Sequence, residues 1–300
     1  MSMLGTNVVG TEDPALLTGG GKYVDDLTAE GALHAVFVRS MIAHGTIAGI
    51  ESDDAAGMPG VVAILTAADL ELTPNPPGMP MFNAAMTRTR LASDRVRYVG
   101  EPIAVVLAES HMQAADAAEL VFADIDPLDP VVSVHDALTD ATILHPDAGT
   151  NTVFALPGSG ADVFADCDVT VELSFRNHRL APCPLEPRAA IAQWETVDGR
   201  EHLTQWSENQ GAHGTRDGLV AALGVEPDQV RVITPDVGGG FGAKNGNYPE
   251  DIVVAMVARR LGRPVRWVET RTESMLGLVH EHIASTLVTI NITRFAFQLF

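Results

Sequence analysis

From Val230 to Asn247 the chain reads VRVITPDVGGGFGAKNGN, the stretch best suited by composition to hold a small ligand. An apolar run leads into Gly238-Gly239-Gly240-Phe241-Gly242, and a helical pattern follows. Consecutive glycines carry no Cβ, so their N–H groups can lie flush against an anion or an oxo group. A Phe among them is unfavourable in water and is expected to pack on a ligand or on a neighbouring core. The competing reading is a tight turn with a buried Phe. A dinucleotide loop is a further alternative. Gly238, Gly240 and Ala243 meet the relaxed fingerprint, and Glu269 ends the next strand where a ribose-binding acid would stand. Pro235 and Asp236 before the glycines, and Asn245-Gly246-Asn247 with Pro249 after them, argue against it. A bound phosphate needs the helix N-terminus to begin within the glycines. A Walker loop fails, because no glycine precedes Lys244 and Asn245 stands where Ser or Thr is required.

Other chemistry is thinly supported. His280 and His282 lie two apart, with His178, His202 and His213 scattered upstream, and none shows metal-ligand spacing. No GxSxG elbow occurs, and Cys183 sits between two prolines without an evident base. Cys167 and Cys183 cannot form a disulfide framework or a four-cysteine metal site, so a reducing, cytoplasmic setting is expected. The N-terminus lacks a secretory pattern and no stretch is apolar for long enough to span a membrane. Thirty-nine acids against nineteen bases give a net charge of −20, which disfavours nucleic acid and anionic membranes as partners. Fourteen of those acids lie between Arg97 and Arg176, where no base occurs, and they read as a solvated acidic surface.

The elements that must position the glycine loop follow from periodicity. Leu33 to Arg39, Ile47 to Ile50, Val61 to Thr66 and Ile103 to Leu107 read as strands, and Ser110 as the N-cap of a helix to about Leu120. Residues 1–20 read as an extended arm with turns, and the proline-rich 72–93 as a surface loop. Alternation from Val169 to Phe175 marks a half-buried strand. Ala189 to Trp194 and His202 to Trp206 pair about an Asp198-Gly199 turn. Gln210 to Leu223 reads as a helix capped by Asn209 or Ser207, and Tyr248 to Leu261 as a second helix ended by Gly262. Val230 to Ile233 and Pro264 to Val268 are strands, and Thr270-x-x-Glu273 is a capping box.

Taken in order, seven blocks resemble the molybdenum-binding large subunit of the xanthine dehydrogenase, aldehyde oxidase and carbon monoxide dehydrogenase family. They are EDPALLTGGGKYVDDL (12–27), LHAVFVRSMIAH (33–44), GVVAILTAADL (60–70), YVGEPIAVVLAES (98–110), RNHRLAPCPLEPRAAIAQWE (176–195), WSENQGAHGTRDGL (206–219) and DVGGGFGAK (236–244). The resemblance implies an α+β chain: an arm (1–17), an α/β hammerhead domain (18–130), a linker (131–160), the first, incomplete part of a molybdopterin-binding domain (161–280) and a non-family tail (281–300). It implies oxidative hydroxylation of an aldehyde, a heterocycle or carbon monoxide with oxygen from water. The cofactor would be molybdenum–molybdopterin, with the cytosine dinucleotide form left open, and electrons would leave through iron–sulfur and FAD partners. By position, Gln210 would hydrogen-bond an oxygen ligand of the metal, and Gly240, Phe241 and Gly242 would pass beside it. No direct metal ligand is implied among these residues.

Two departures stand out. Asn245 follows Lys244 where xanthine-type members carry glutamate, and a neutral amide cannot make the same charge-assisted contact to a purine. The match ends near His280, before the region where the family holds its general-base glutamate and most pterin contacts. The expectations are therefore a truncation or frameshift near that point, and a chain that by itself binds the cofactor weakly and is inactive. The alternative is a non-catalytic remnant or assembly module that docks to FAD and iron–sulfur subunits.

Overall fold

The computed structural model describes residues 4–5, 10–70, 72, 74–75, 77, 79–156, 169–177, 180–279, 284–293 and 296–298, with the strands at 169–177, 284–293 and 296–298 described by backbone alone. In chain order the elements are α1 (Asp13–Leu17), β1 (Leu33–Arg39), β2 (Gly45–Glu51), α2 (Asp53–Ala56), β3 (Val61–Thr66), α3 (Ala67–Leu70) and β4 (Arg95–Val96). Next come β5 (Pro102–Ala108), α4 (His111–Ala118), β6 (Phe122–Pro127), α5 (Val134–Thr139), β7 (Val169–Asn177), β8 (Ala189–Val197) and β9 (Arg200–Ser207). The remainder is α6 (Ala212–Leu223), β10 (Val230–Ile233), α7 (Pro249–Leu261), β11 (Val265–Val268), α8 (Arg271–Gly277), β12 (Ala284–Thr293) and β13 (Ala296–Gln298).

Local chemistry explains most boundaries. All of β5 is buried, as its uninterrupted apolar run requires. The β8–β9 hairpin turns at Asp198 and Gly199, both at positive φ, the geometry whose twist matches its strands. Pro249 opens α7, and Gly262 at φ 62° closes it in the left-handed region. Thr270 and Glu273 form the reciprocal capping box at α8.

One mixed seven-stranded sheet, ordered β10-β9-β8-β11-β1-β5-β3, runs through both halves of the chain. The join is β1 beside β11, parallel, with Leu33 opposite Val265. The largest core covers one face of it; there Phe37 meets Trp267 edge-on at 5.6 Å and Leu33, Leu107, Leu203 and Val253 are all buried, while Val106 and Ala108 of β5 join a separate cluster. Two three-stranded sheets stand apart, β4-β2-β6 and β13-β12-β7. Strand β12 lies within the segment from 281 that the sequence reading sets apart as a tail, and it pairs along the whole of β7.

Three of these expectations need correction, and the proposed linker carries a helix the sequence did not announce. The arm is not wholly extended: Pro14 at a first-turn position lets Asp13–Leu17 coil into α1, which buries nothing. The 72–93 segment is only partly a surface loop. Asn75 and Arg88 bridge, the Asn75 side chain accepts from Arg90 Nε at 3.0 Å, and Met86, Leu91 and Ala92 are buried. The stretch 131–160 carries α5, capped by Ser133 Oγ accepting from Asp136 N–H at 3.1 Å. Finally, α6 starts at Ala212 with Gly211 as N-cap, so Gln210 precedes the helix. Asn209 Oδ1 accepts from Gly211 N–H at 2.9 Å in a turn instead of capping the helix. Cys167, His178, His280 and His282 lie outside the described residues, as does the side-chain burial of β7.

Candidate functional site

Sheet direction assembles the site. Strands β9 and β10 run parallel, so the residues after each emerge side by side at one end of the sheet. Gln210 follows β9 and the glycine loop follows β10. Strand β8 is antiparallel to β9, and β11 to β8, so Glu186 and Arg188 before β8 and Glu269 after β11 reach the same end. Arg39 ends β1, parallel to β11, and joins them.

Within this cluster Gln210 and Lys244 exchange backbone and side-chain bonds. Gln210 N–H donates to Lys244 O at 2.9 Å, and Lys244 N–H donates to Gln210 Oε1 at 3.2 Å. The first bond draws Gln210 against the loop and away from α6. The second takes the amide oxygen, which leaves Nε2 of the exposed Gln210 as a donor with no partner among the described residues. Gly240 leaves room for that side chain: a Cβ would lie 2.5 Å from Gln210 Cδ and push the amide aside.

The loop itself is a row of donors. Gly238 N–H donates to Glu186 Oε2 at 2.7 Å, and Ala243 N–H to Gly240 O at 2.9 Å. Among the described residues nothing accepts from the N–H of Gly239, Gly240, Phe241 or Gly242. Phe241 sits at φ 51° and is 61% exposed, so the buried-Phe turn is not what this loop builds. A left-handed, solvent-facing Phe is a strained arrangement that packing does not explain, and such outliers concentrate at ligand clamps.

The dinucleotide alternative is also overturned. Helix α7 begins only at Pro249, well past the glycines, so its dipole does not face them. Glu269 is buried on Arg188, whose Nε donates to its Oε1 at 3.0 Å and whose backbone N–H donates to Oε2 at 3.0 Å. No carboxylate remains there for a ribose.

Beneath the loop lies a set of buried charges. Glu250, 2% exposed, bridges Arg39 at 2.8 Å and Arg188 at 3.3 Å, and Arg39 also meets Glu273 at 3.0 Å. The Arg188 guanidinium stacks 3.9 Å from the centre of the Tyr248 ring, and the Tyr248 hydroxyl donates to Ala243 O, holding the end of the loop. Burial alone would raise the Glu250 pKa, but Arg188 and Arg39 outweigh it and hold the carboxyl below its ordinary range. Asp251 has the opposite fate: burial pushes it up to about 7. Burial, then the nearby Asp251, pushes Glu208 well above the carboxylate range too.

Sequence reasoning found Gln210 and the loop but missed Glu186, Arg188, Glu208, Glu250 and Asp251. Their one signal was position: acids and an Arg at the edges of otherwise apolar strands and in the first turn of an otherwise apolar helix. Within the stretch from Arg97 to Arg176 read as a solvated acidic surface, Glu101 is in fact buried, 4% exposed. Among the described residues no group of three or more His, Cys, Asp or Glu side chains is placed to hold a metal ion, and no helix is long and apolar enough to cross a membrane. An oxygen-rich group fits the donor row and the Gln210 amide; a bare cation does not.

Comparison with known proteins shows the family. The family model described as "Aldehyde oxidase and xanthine dehydrogenase, a/b hammerhead domain" matches residues 18–129. The "Molybdopterin cofactor-binding domain" matches residues 144–294, which takes in part of the stretch set apart from 281 onward. The nicotine 6-hydroxylase large subunit of Paenarthrobacter nicotinovorans is 36% identical over 289 residues, covering 94% of this chain and 35% of its own length. The carbon monoxide dehydrogenase large chain of Hydrogenophaga pseudoflava is 36% identical over 282 residues, covering 88% and 34%. The crystal structure of quinoline 2-oxidoreductase from Pseudomonas putida 86 superposes with a TM-score of 0.83 at 32% identity, covering 97% of this chain and 37% of that one. The chain thus spans about a third of the length of the curated relatives it matches.

Proposed function

This chain belongs to the xanthine dehydrogenase, aldehyde oxidase and carbon monoxide dehydrogenase family of molybdenum-binding large subunits, and on that premise we propose that it forms the donor side of a molybdenum–pterin site in a hydroxylase. The reading rests on one observation above all: four consecutive N–H groups, Gly239 to Gly242, have no acceptor among the described residues, and Gly240 among them lies against the Gln210 side chain. When bound, the molybdenum–pterin group supplies the two-electron oxidation of a substrate carbon, with oxygen drawn from water. The chain's own residues orient oxygen ligands. Gln210 Nε2 would donate to one, and the loop amides would meet negative charge with donors already in place, so little reorganisation would be needed. The exposed Phe241 ring offers an apolar wall that keeps water from one side.

The substrate class we favour is an aldehyde, a nitrogen heterocycle or carbon monoxide. Asn245 is exposed at the end of the loop, and an amide there lacks the charge that a purine-binding carboxylate would bring. Iron–sulfur and FAD partners would take the electrons.

Purified from molybdate-replete cells together with its partner subunits and the part of the large subunit that supplies the remaining pterin contacts, the protein is expected to carry molybdenum and a pterin in near-equal amounts, whereas this chain by itself retains them weakly. A preparation free of both that still co-purifies with partner subunits would overturn this reading in favour of an assembly module. Gly240→Ala tests the geometry more sharply. Gly240 is not at positive φ, so Ala is allowed by the backbone, yet its Cβ must evict Gln210. Unfolding free energy should change by less than about 1 kcal/mol, as for a site not packed in the core. Pterin retention should fall about tenfold, the worth of one charge-assisted bond. Retention at the native level would show that Gln210 does not contact the group.

A further inference from the structure

Resting on the reading above, we propose that Glu186 and Lys244 form a buried clamp that positions both ends of the glycine loop and sets which way the Gln210 amide faces. A single oxygen does most of the work. Glu186 Oε2 accepts from Gly238 N–H at 2.7 Å and from Lys244 Nζ at 2.9 Å, so it ties the first residue of the loop to the residue that closes it. Glu186 N–H also donates to Gly238 O at 3.3 Å, and a Cβ on Gly238 would lie 2.5 Å from Glu186 Cβ. The two backbones are therefore in direct contact. Glu186 is itself anchored, because Arg271 donates to the carbonyls of Pro184 at 2.7 Å and Leu185 at 3.0 Å just before it.

The other end of the clamp is Lys244, whose side chain is fully buried. With Nζ pinned by Glu186, the Lys244 backbone is fixed, and its N–H takes Gln210 Oε1. That bond decides which end of the amide is left for a ligand: the NH2 donor and not the carbonyl acceptor. Taking Gly238 N–H out of play also begins the row of unpaired donors at Gly239. Glu186 Oε1 is buried with no partner among the described residues. The carboxylate thus acts through Oε2, and losing its charge is not offset elsewhere.

Stability alone does not account for such a pair. Replacing a buried ion pair by well-packed apolar side chains of similar volume is commonly neutral or stabilising. A directional role predicts a different result, in which the fold survives and the loop loses its setting.

The double variant Glu186→Met/Lys244→Met separates the two. Hydrogen exchange by mass spectrometry would follow peptides covering 236–247, with β8 and β9 as internal controls. Pterin content would be read from the fluorescence of its oxidised form. The clamp predicts loop exchange about tenfold faster, unchanged exchange in β8 and β9, and pterin retention down about tenfold. Native loop exchange would overturn the proposal. Faster exchange with native retention would also overturn it, leaving the pair a structural role. If the native protein holds no pterin, the molybdenum reading fails, while the exchange result still decides whether the loop is clamped. Should the double variant not fold, Glu186→Gln keeps the volume, removes the charge from Lys244 and carries the same expectations.

Discussion

Glu250→Ala is expected to lower the unfolding free energy by about 3–5 kcal/mol, the range for removing one partner of a buried, hydrogen-bonded ion pair. Glu250 lies in the first turn of α7 and bonds Arg39 of β1 at 2.8 Å and Arg188, just before β8, at 3.3 Å. Its loss leaves two guanidinium groups sharing Glu269 and Glu273, which sit on different arginines. Among the described residues Arg39 Nη2 already lacks a partner, and without Glu250 that residue keeps only Glu273 and the Gly100 carbonyl, at 3.1 Å from its Nη1. The same carboxylate links β1 of the first half of the chain to β8 and α7 of the second, so the transition should stay cooperative while its midpoint falls. Urea unfolding followed by circular dichroism would measure it. A change below about 1 kcal/mol, the level of a surface pair, would show that solvent screens this network.

The second large effect is a pH dependence. Burial raises Asp251 from 3.8 to about 7 in the folded chain. Below pH 4 the group is protonated in both states and contributes no difference. Between pH 4 and 7 the unfolded chain ionises while the folded one holds its proton, so stability falls as pH rises through that window. The accumulated loss is on the order of 4 kcal/mol at a fully buried site. Glu208 shifts in the same direction and adds to the slope. Glu250, held low by Arg188 and Arg39 against the effect of burial, acts in the opposite sense, but only below its ordinary range. Asp251→Asn removes the titration and can still accept from Tyr248 N–H, now at 2.9 Å. Its stability profile should be distinctly flatter between pH 4 and 7, and the variant should be more stable than the native chain at pH 8. Parallel profiles in the two proteins would mean that water reaches Asp251.

Much of this was legible beforehand. Alternation and apolar runs placed β1, β3, β5, β8 and β9, because strand periodicity is local and a buried strand tolerates few polar residues. Ser110, Thr270 and Gly262 announced helix ends through bonds that span only a few residues. The short helices α1 and α5 were missed. Neither buries a residue, so no apolar stripe advertised them. The start of α6 was misplaced for a tertiary reason, since the bond from Gln210 N–H to Lys244 O withdraws that residue from the helix.

The amino-acid sequence by itself determined the glycine loop, the need for close backbone approach at Gly240, and the family to which the chain belongs. Each is a matter of residue type at fixed spacing, which chain order preserves. Tertiary structure alone decided that Glu186, Arg188, Gln210, Lys244, Glu250 and Glu269 converge. They are far apart along the chain, and only the parallel pairing of β9 with β10 and of β1 with β11, with antiparallel β8 between, brings their ends together. Whether an acid is solvated, paired or kept protonated depends on what surrounds it in space. Hence Asp251 and Glu250, neighbours in sequence, hold their protons with opposite strength.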